Sequence, residues 1–308
     1  MSRKLTRRDF LKYQMGSAAA LSVSGWVMPG QLFAEAGPPD IAVAKGAPEA
    51  AVRAAVKLLG GIDRFVKPGN RVVIKPNMSF PTPPERASNT HPEVVRTLAA
   101  LCRGAGADRV MVLDNPLGPE EMCLEASKIA EACEVIDRRM VRMVTDPSQY
   151  KEVPIPDGKS LTRTDVMTEV LKADVLIAAP VAKSHSGAGV SLSMKGMMGL
   201  IRNRMVMHRI DLHTTIVDLA SRLKPHLTVI DATRVLSTGG PGGPGKVLTP
   251  DTVIASADMV AADAYTVSAF EWYGKKYRPD QVRYIREAHE RGLGRMDIDA
   301  LTVKTVTA

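Results

Sequence analysis

Between residues 41 and 305, short apolar runs rich in Val and Ile alternate with stretches whose apolar residues recur every three or four positions. The short runs predict strands over 41–44, 71–75, 109–113, 174–178, 227–230, 252–256 and 301–305. The longer period predicts helices over 48–59, 92–103, 119–132, 165–172, 192–201, 211–223, 259–272 and 279–291. The strands are apolar throughout and lack the alternation of a one-sided sheet, so both their faces are expected to be buried. Strand–helix succession of this kind predicts an α/β fold, a largely parallel doubly wound sheet with helices on both faces. Residues 140–156 break the rhythm and read as a strand pair or an excursion at the sheet edge. Thr90-His91-Pro92-Glu93 combines a T-x-x-E capping box with a first-turn proline, which makes Thr90 and Glu93 structural and leaves His91 able to face a ligand.

Ahead of this pattern stands a segment of another kind. Residues 1–36 comprise a basic start, an apolar run of 13 residues from Gly16 to Met28, and an A-x-A site at Ala34-Glu35-Ala36. The run is shorter than the roughly 20 residues of a bilayer-spanning helix. Thr6-Arg7-Arg8-Asp9-Phe10-Leu11-Lys12 resembles the twin-arginine export motif. The expected organisation is therefore a signal peptide over 1–36 and a single α/β domain over 37–308. The twin-arginine translocase would be the export partner, and the location periplasmic, with a membrane anchor only where the leader stays uncleaved. The plainer alternative is a basic amphipathic helix.

Charge changes the picture little. The chain carries +8, of which +3 belongs to the leader (five basic against two acidic residues) and +5 to residues 37–308. So diffuse an excess argues against nucleic acid and favours a small anionic partner. Cys102, Cys123 and Cys133 form no C-x-x-C and no run of four, so an iron–sulfur cluster of the chain's own is not expected, although one disulfide could form in an oxidising compartment.

The candidate chemistry lies just past the predicted strands. Lys75 and Asn77 follow the second, Asp114 the third, Lys183, Ser184 and His185 the fourth, Asp231 the fifth and Asp258 the sixth. Each has a dull reading: Lys75 as a solvated end, Asp231 as a turn residue, Asp258 as a helix cap. Shared polar character at five strand ends favours one site, because ligands of doubly wound sheets bind at the carboxyl edge. The stretch AKSHSGAGVSLSMKG (182–196) adds Gly187 and Gly189, which allow close backbone approach, and Lys195 in a helix whose N-terminal N–H groups would face an anion. Lys75, Lys183 and Lys195 are expected to hold the anion, with Asn77, Ser184, Gly187 and Gly189 as further contacts. His185 and Asp231 are the expected acid–base pair, and a divalent metal on Asp114, Asp231 and Asp258 is the other use of the carboxylates.

Three look-alikes are set aside. GPGGPGK (240–246) matches G-x-x-x-x-G-K, but Pro241 and Pro244 lack phosphate-binding N–H groups and Val247 stands where a magnesium ligand belongs; it reads as a rigid loop or lid. His208 and His213 lie about 140° apart on one continuous helix. Met194, Met197, Met198, Met205 and Met207 have the spacing of a core-facing helix, which outweighs a copper site.

VVIKPN (72–77), THPEVV (90–95), ADVLIAAPVAKSH (173–185), SMKGMMGLI (193–201), LTVIDA (227–232), GGPGGPGK (239–246) and VIASADMVAADA (253–264) occur in an order that resembles the domain of unknown function 362 family. The resemblance implies an α/β domain without an established reaction and marks Lys75, Asn77, His91, Lys183, His185, Lys195, Asp231, Asp258 and Asp263 as motif positions. Relatives with appended ferredoxin modules imply a redox partner protein, although this chain lacks those cysteines. Two functions follow as expectations. One is an exported, redox-associated enzyme or cofactor-dependent protein acting on an anion. The other is a non-catalytic cofactor-binding or maturation partner of a periplasmic redox enzyme.

Overall fold

The computed structural model describes residues 37–308; the predicted leader, 1–36, lies outside the described residues. The principal sheet strands, in chain order, are β1 (Ile41–Lys45), β2 (Arg71–Pro76), β3 (Arg109–Asp114), β4 (Val141–Met143), β5 (Val175–Ala179), β6 (Val181–His185), β7 (Gly189–Ser191), β8 (Leu227–Leu236), β9 (Thr252–Ser256) and β10 (Val303–Thr307), with the two-residue strand Val247–Leu248 added on β8. The principal helices are α1 (Pro48–Leu58), α2 (Pro92–Gly104), α3 (Leu212–Arg222), α4 (Met259–Ala269) and α5 (Arg283–Glu290). Across the sheet the order is β10-β1-β9-β8-β5-β2-β3-β4, and all neighbours are parallel except where β9 runs against β1 and β8.

Burial follows the period of two along each strand. Val73, Met111, Leu113, Leu176, Ala178 and Ile254 point into one core with α3, α4 and α5. Val72, Ile74, Val110, Val112, Val175 and Ile177 point into the other with α1 and α2. The continuous apolar strands are thus explained by helices on both faces, and Pro38–Ala308 packs as one unit.

Several elements differ from the sequence reading. Residues 119–132 form two helices, Glu120–Ser127 and Ile129–Cys133, separated by Lys128 at φ 58°. Residues 163–167 are a strand hydrogen-bonded to 150–154, so the irregular region contributes both an edge strand, β4, and a separate hairpin. The cap of α2 is His91, whose Nδ1 accepts from Glu93 N. Thr90 Oγ1 instead accepts from Asn77 N and donates to Ala179 O, tying two strand ends together. Cys102, Cys123 and Cys133 are free and buried, and burial pushes the Cys102 and Cys133 thiols up to about 12.

Two features set up the site. The run expected to be one strand followed by a loop bends at Pro180, so β5 and β6 are successive strands. Pro180, which has no N–H to leave unpaired, accepts from Asp231 N at 2.8 Å. Strand β8 is long enough to pair with β5 at Leu227–Thr228 and then with β6 from Asp231 onward. Beyond the bend, β6 turns back through residues 186–188 into β7, so AKSHSGAGVS is largely a β-hairpin.

Candidate functional site

Neighbouring parallel strands bring their carboxyl ends to one edge, with Pro76 opposite Ala179 and Ile74 opposite Val112. Lys75 and Asn77 arrive there from β2 and Asp114 from β3. Lys183 and His185, two apart on β6, face the same way. Lys195 comes from the turn Ser193–Gly196, and Arg204 and His208 from the short helix Met205–Arg209 and the residue before it. These side chains line one cavity of about 320 Å³, whose wall also includes Phe80, Gly187, Gly199 and Pro241. Leu117 and Met205 line it as well and are about half exposed.

The cavity holds one carboxylate, and that carboxylate is committed. Asp114 Oδ1 lies 3.1 Å from Lys75 Nζ and accepts from Asn115 N at 2.9 Å; Oδ2 accepts from Met78 N at 2.9 Å and Ser79 Oγ at 2.8 Å. Gly199 packs directly on this pair, and a Cβ there would collide with the Asp114 carboxylate and the end of the Lys75 chain. Glycine at 199 is therefore required by close approach. Lys183 donates to Ser88 O at 2.5 Å and lies 4.8 Å above the Phe80 ring. Arg204 donates to Asn115 O. Lys195 Nζ contacts Met198 Sδ at 3.6 Å. Among the described residues no carboxylate pairs with Lys183, Lys195 or Arg204. Burial pulls both Lys183 and Lys195 down to about 7, helped by Lys195 in the first case and by Arg204 in the second.

His185 is neutral here. Burial, followed by the Lys195 charge, depresses it to about 3. Its Nδ1 accepts from Gly187 N at 3.0 Å and Ala188 N at 3.2 Å, so Nε2 carries the proton and the ring is a hydrogen-bond donor. An unliganded His185 is thus a poor base at neutral pH. His208 stacks beside it at 6.0 Å between ring centroids.

Part of the expected constellation does not assemble. Asp231 sits inside β8 and lies outside the cavity. Its carboxylate accepts from His91 N, Thr233 N and Thr233 Oγ1 and pairs with Arg234 at 3.2 Å, which pins the start of α2 to the sheet, apart from the cavity that His185 lines. Asp258 caps α4 through Val260 N and Ala261 N, the plainer of its two readings. Of the three aspartates only Asp114 lines the cavity, and among the described residues no group of three or more His, Cys, Asp or Glu side chains is placed to hold a metal ion. Ser184 Oγ accepts from Gly240 N and anchors the Pro-Gly loop, which reaches the cavity through Pro241. Asn77 lines the cavity while its Oδ1 accepts from Val181 N. Gly187 lines the cavity, whereas Gly189, at φ 78°, faces a second depression beside His213.

The N–H groups expected to cradle an anion are taken. Ser193 N and Met194 N donate to the Asp263 carboxylate, as does Ser193 Oγ at 2.6 Å. Desolvation, partly offset by these bonds, raises Asp263 to about 7. The motif residue Asp263 thus positions the turn that carries Lys195. Sequence reasoning missed Arg204 and His208. The three polar residues 202–204 interrupting an apolar run were the available sign of the first. For the second, the 140° separation holds only on one helix, and His208 and His213 belong to separate helices. Met194, Met197, Met198 and Met207 are core residues, and only Met205 is exposed.

A family described as "Domain of unknown function (DUF362)" matches residues 72–268. The thylakoid-associated protein sll1697 of Synechocystis is 27% identical over 226 residues, covering 70% of this chain and 67% of its own. Two solved structures align more loosely. The lactate racemase apoprotein of Thermoanaerobacterium thermosaccharolyticum gives a TM-score of 0.45 at 13% identity, over 70% of this chain and 54% of that one. A Thermotoga maritima protein gives 0.34 at 12%, over 60% and 51%. The chain spans about half the length of each of these two.

Proposed function

This chain belongs to the family described as domain of unknown function (DUF362), and on that premise we propose that its cavity binds a small organic anion. The carrying observation is the charge imbalance: buried Lys183 and Lys195 and half-buried Arg204 surround one hollow whose single carboxylate is occupied by Lys75. Cations removed from water without a counter-ion are costly, and an entering carboxylate or phosphate supplies the missing counter-charge. Phe80, Leu117, Met205 and Pro241 give the same cavity apolar surface, which suits an anion with a short carbon body better than a bare inorganic one. Neutral His185 supplies a directional donor beside the cations.

Thermal unfolding with added carboxylates and phosphate monoesters tests this reading. An anion at a hundred times its Kd is expected to add about 2.7 kcal/mol to stability. The added stability should vanish in the Lys183→Met/Lys195→Met variant. A panel of such anions that leaves the melting temperature of the parent protein unmoved would refute it.

Export by the twin-arginine route accompanies the proposal, on the strength of Thr6–Lys12 and the A-x-A site. N-terminal sequencing of protein recovered from the outer side of the inner membrane should then begin at Gly37; a chain retained inside with its leader intact would count against it. A cofactor-holding partner of a redox enzyme would use the same cavity, and stoichiometric capture without turnover would favour it over catalysis.

A further inference from the structure

The three lysines of the cavity are not equivalent. Lys75 is paired with Asp114, and Lys183 already donates one hydrogen to Ser88 O and lies over the Phe80 ring, keeping further donors for an anion. Lys195 alone of the three meets no oxygen acceptor among the described residues; its contact is the Met198 thioether at 3.6 Å. Yet it is only 8% exposed and lines the cavity. Its backbone is held firmly, because Asp263 grips Ser193 and Met194 and Gly196 N donates to Leu192 O at 2.9 Å. A buried amine without a partner, on a fixed turn, among cations that attract a carboxylate, is arranged to meet what enters. Since burial brings Lys195 down to about 7, much of it is free amine at neutral pH, the form that attacks carbonyl carbon.

We propose that Lys195 is a covalent nucleophile that forms an imine with a 2-oxo carboxylate, whose carboxylate group is held by Lys183 and Arg204. The proposal rests on the anion-binding reading and names its substrate class. In the step, the Nζ lone pair attacks the carbonyl carbon, a C–N bond forms, and the carbonyl π pair moves to oxygen. One Nζ proton passes to that oxygen, giving the carbinolamine. The hydroxyl then leaves as water, taking a proton as the nitrogen gives up its second hydrogen and C=N forms. No oxidant or reductant is consumed. His185, with Nε2–H on the cavity wall, can hydrogen-bond the carbonyl oxygen and then the departing hydroxyl.

The test incubates the full chain with pyruvate at neutral pH, adds sodium borohydride, and maps adducts by peptide mass spectrometry alongside melting curves. The expected result is one reduced adduct on Lys195, at least about tenfold above exposed Lys57. It should be absent with propionate, which has no ketone. In Lys195→Arg the adduct should disappear while pyruvate still raises the melting temperature, since arginine keeps the charge. Pyruvate that stabilises the parent protein without any adduct would overturn the imine and leave the anion site standing. An adduct mapped to Lys183 or Lys75 would overturn the assignment to Lys195. Neither adduct nor stabilisation with any 2-oxo acid would overturn this proposal, and a panel of other anions then decides the broader reading.

Discussion

Replacing Asp114 with alanine is expected to destabilise the folded protein by about 3–5 kcal/mol, because it strands a buried lysine without its counter-ion. Lys75 and Asp114 are 1% and 0% exposed at the side chain, so water cannot take over. The same carboxylate also satisfies Met78 N, Asn115 N and Ser79 Oγ, and those donors lose their acceptor as well. Urea unfolding of Asp114→Ala, Lys75→Met and the double variant separates the two contributions. The double variant should recover much of the loss, since it removes the orphaned charge but not the orphaned N–H groups. A cost below about 1 kcal/mol for Asp114→Ala would mean that the pair is solvated after all.

The second large effect concerns pH. In the folded, unliganded protein Lys183 and Lys195 lose their protons near pH 7, whereas the unfolded chain keeps them until its lysines titrate near 10.5. Between those values the unfolded state binds more protons, so stability rises with pH, by up to about 1.4 kcal/mol per pH unit for each lysine. The penalty is complete below pH 7 and fades above it. Anion affinity should run the other way, strongest below pH 7 and weakening above, because an anion held by Lys183 takes up the proton that burial expelled there. Melting curves from pH 6 to pH 9 should therefore climb for the parent protein. They should flatten in Lys183→Met/Lys195→Met, which should also melt higher at pH 6. A parent curve that falls over that range would contradict the arrangement.

Much of the architecture was legible because it rests on local periodicity. The all-apolar strands gave the two-sided sheet, and the polar residues behind Ile74, Leu113 and Val181 pointed to the edge where the cavity lies. Residues failed where a partner distant in sequence decided the matter. Asp231 looked like a site residue, but it bonds locally to Thr233 and Arg234, as its turn reading allowed, and its decisive contact is with His91 N, 140 residues away. The Lys195 turn looked like an open anion cradle because its cap, Asp263, lies 70 residues away. The predicted helix 165–172 is helical only over Thr168–Leu171, because its first residues belong to a strand that pairs with 150–154. Position 199 reads as one more glycine until Lys75 and Asp114 are seen against it.

The surplus of positive charge around the hollow has a practical corollary at the bench. If the cavity takes an anion as proposed, a protein prepared in phosphate, sulfate or citrate would carry buffer ions there, and any affinity measured in such media would be a displacement constant. Zwitterionic buffers with chloride as the counter-ion are the proper baseline. Whatever the molecule brings with it from the cell should be eluted and weighed before the first salt exchange.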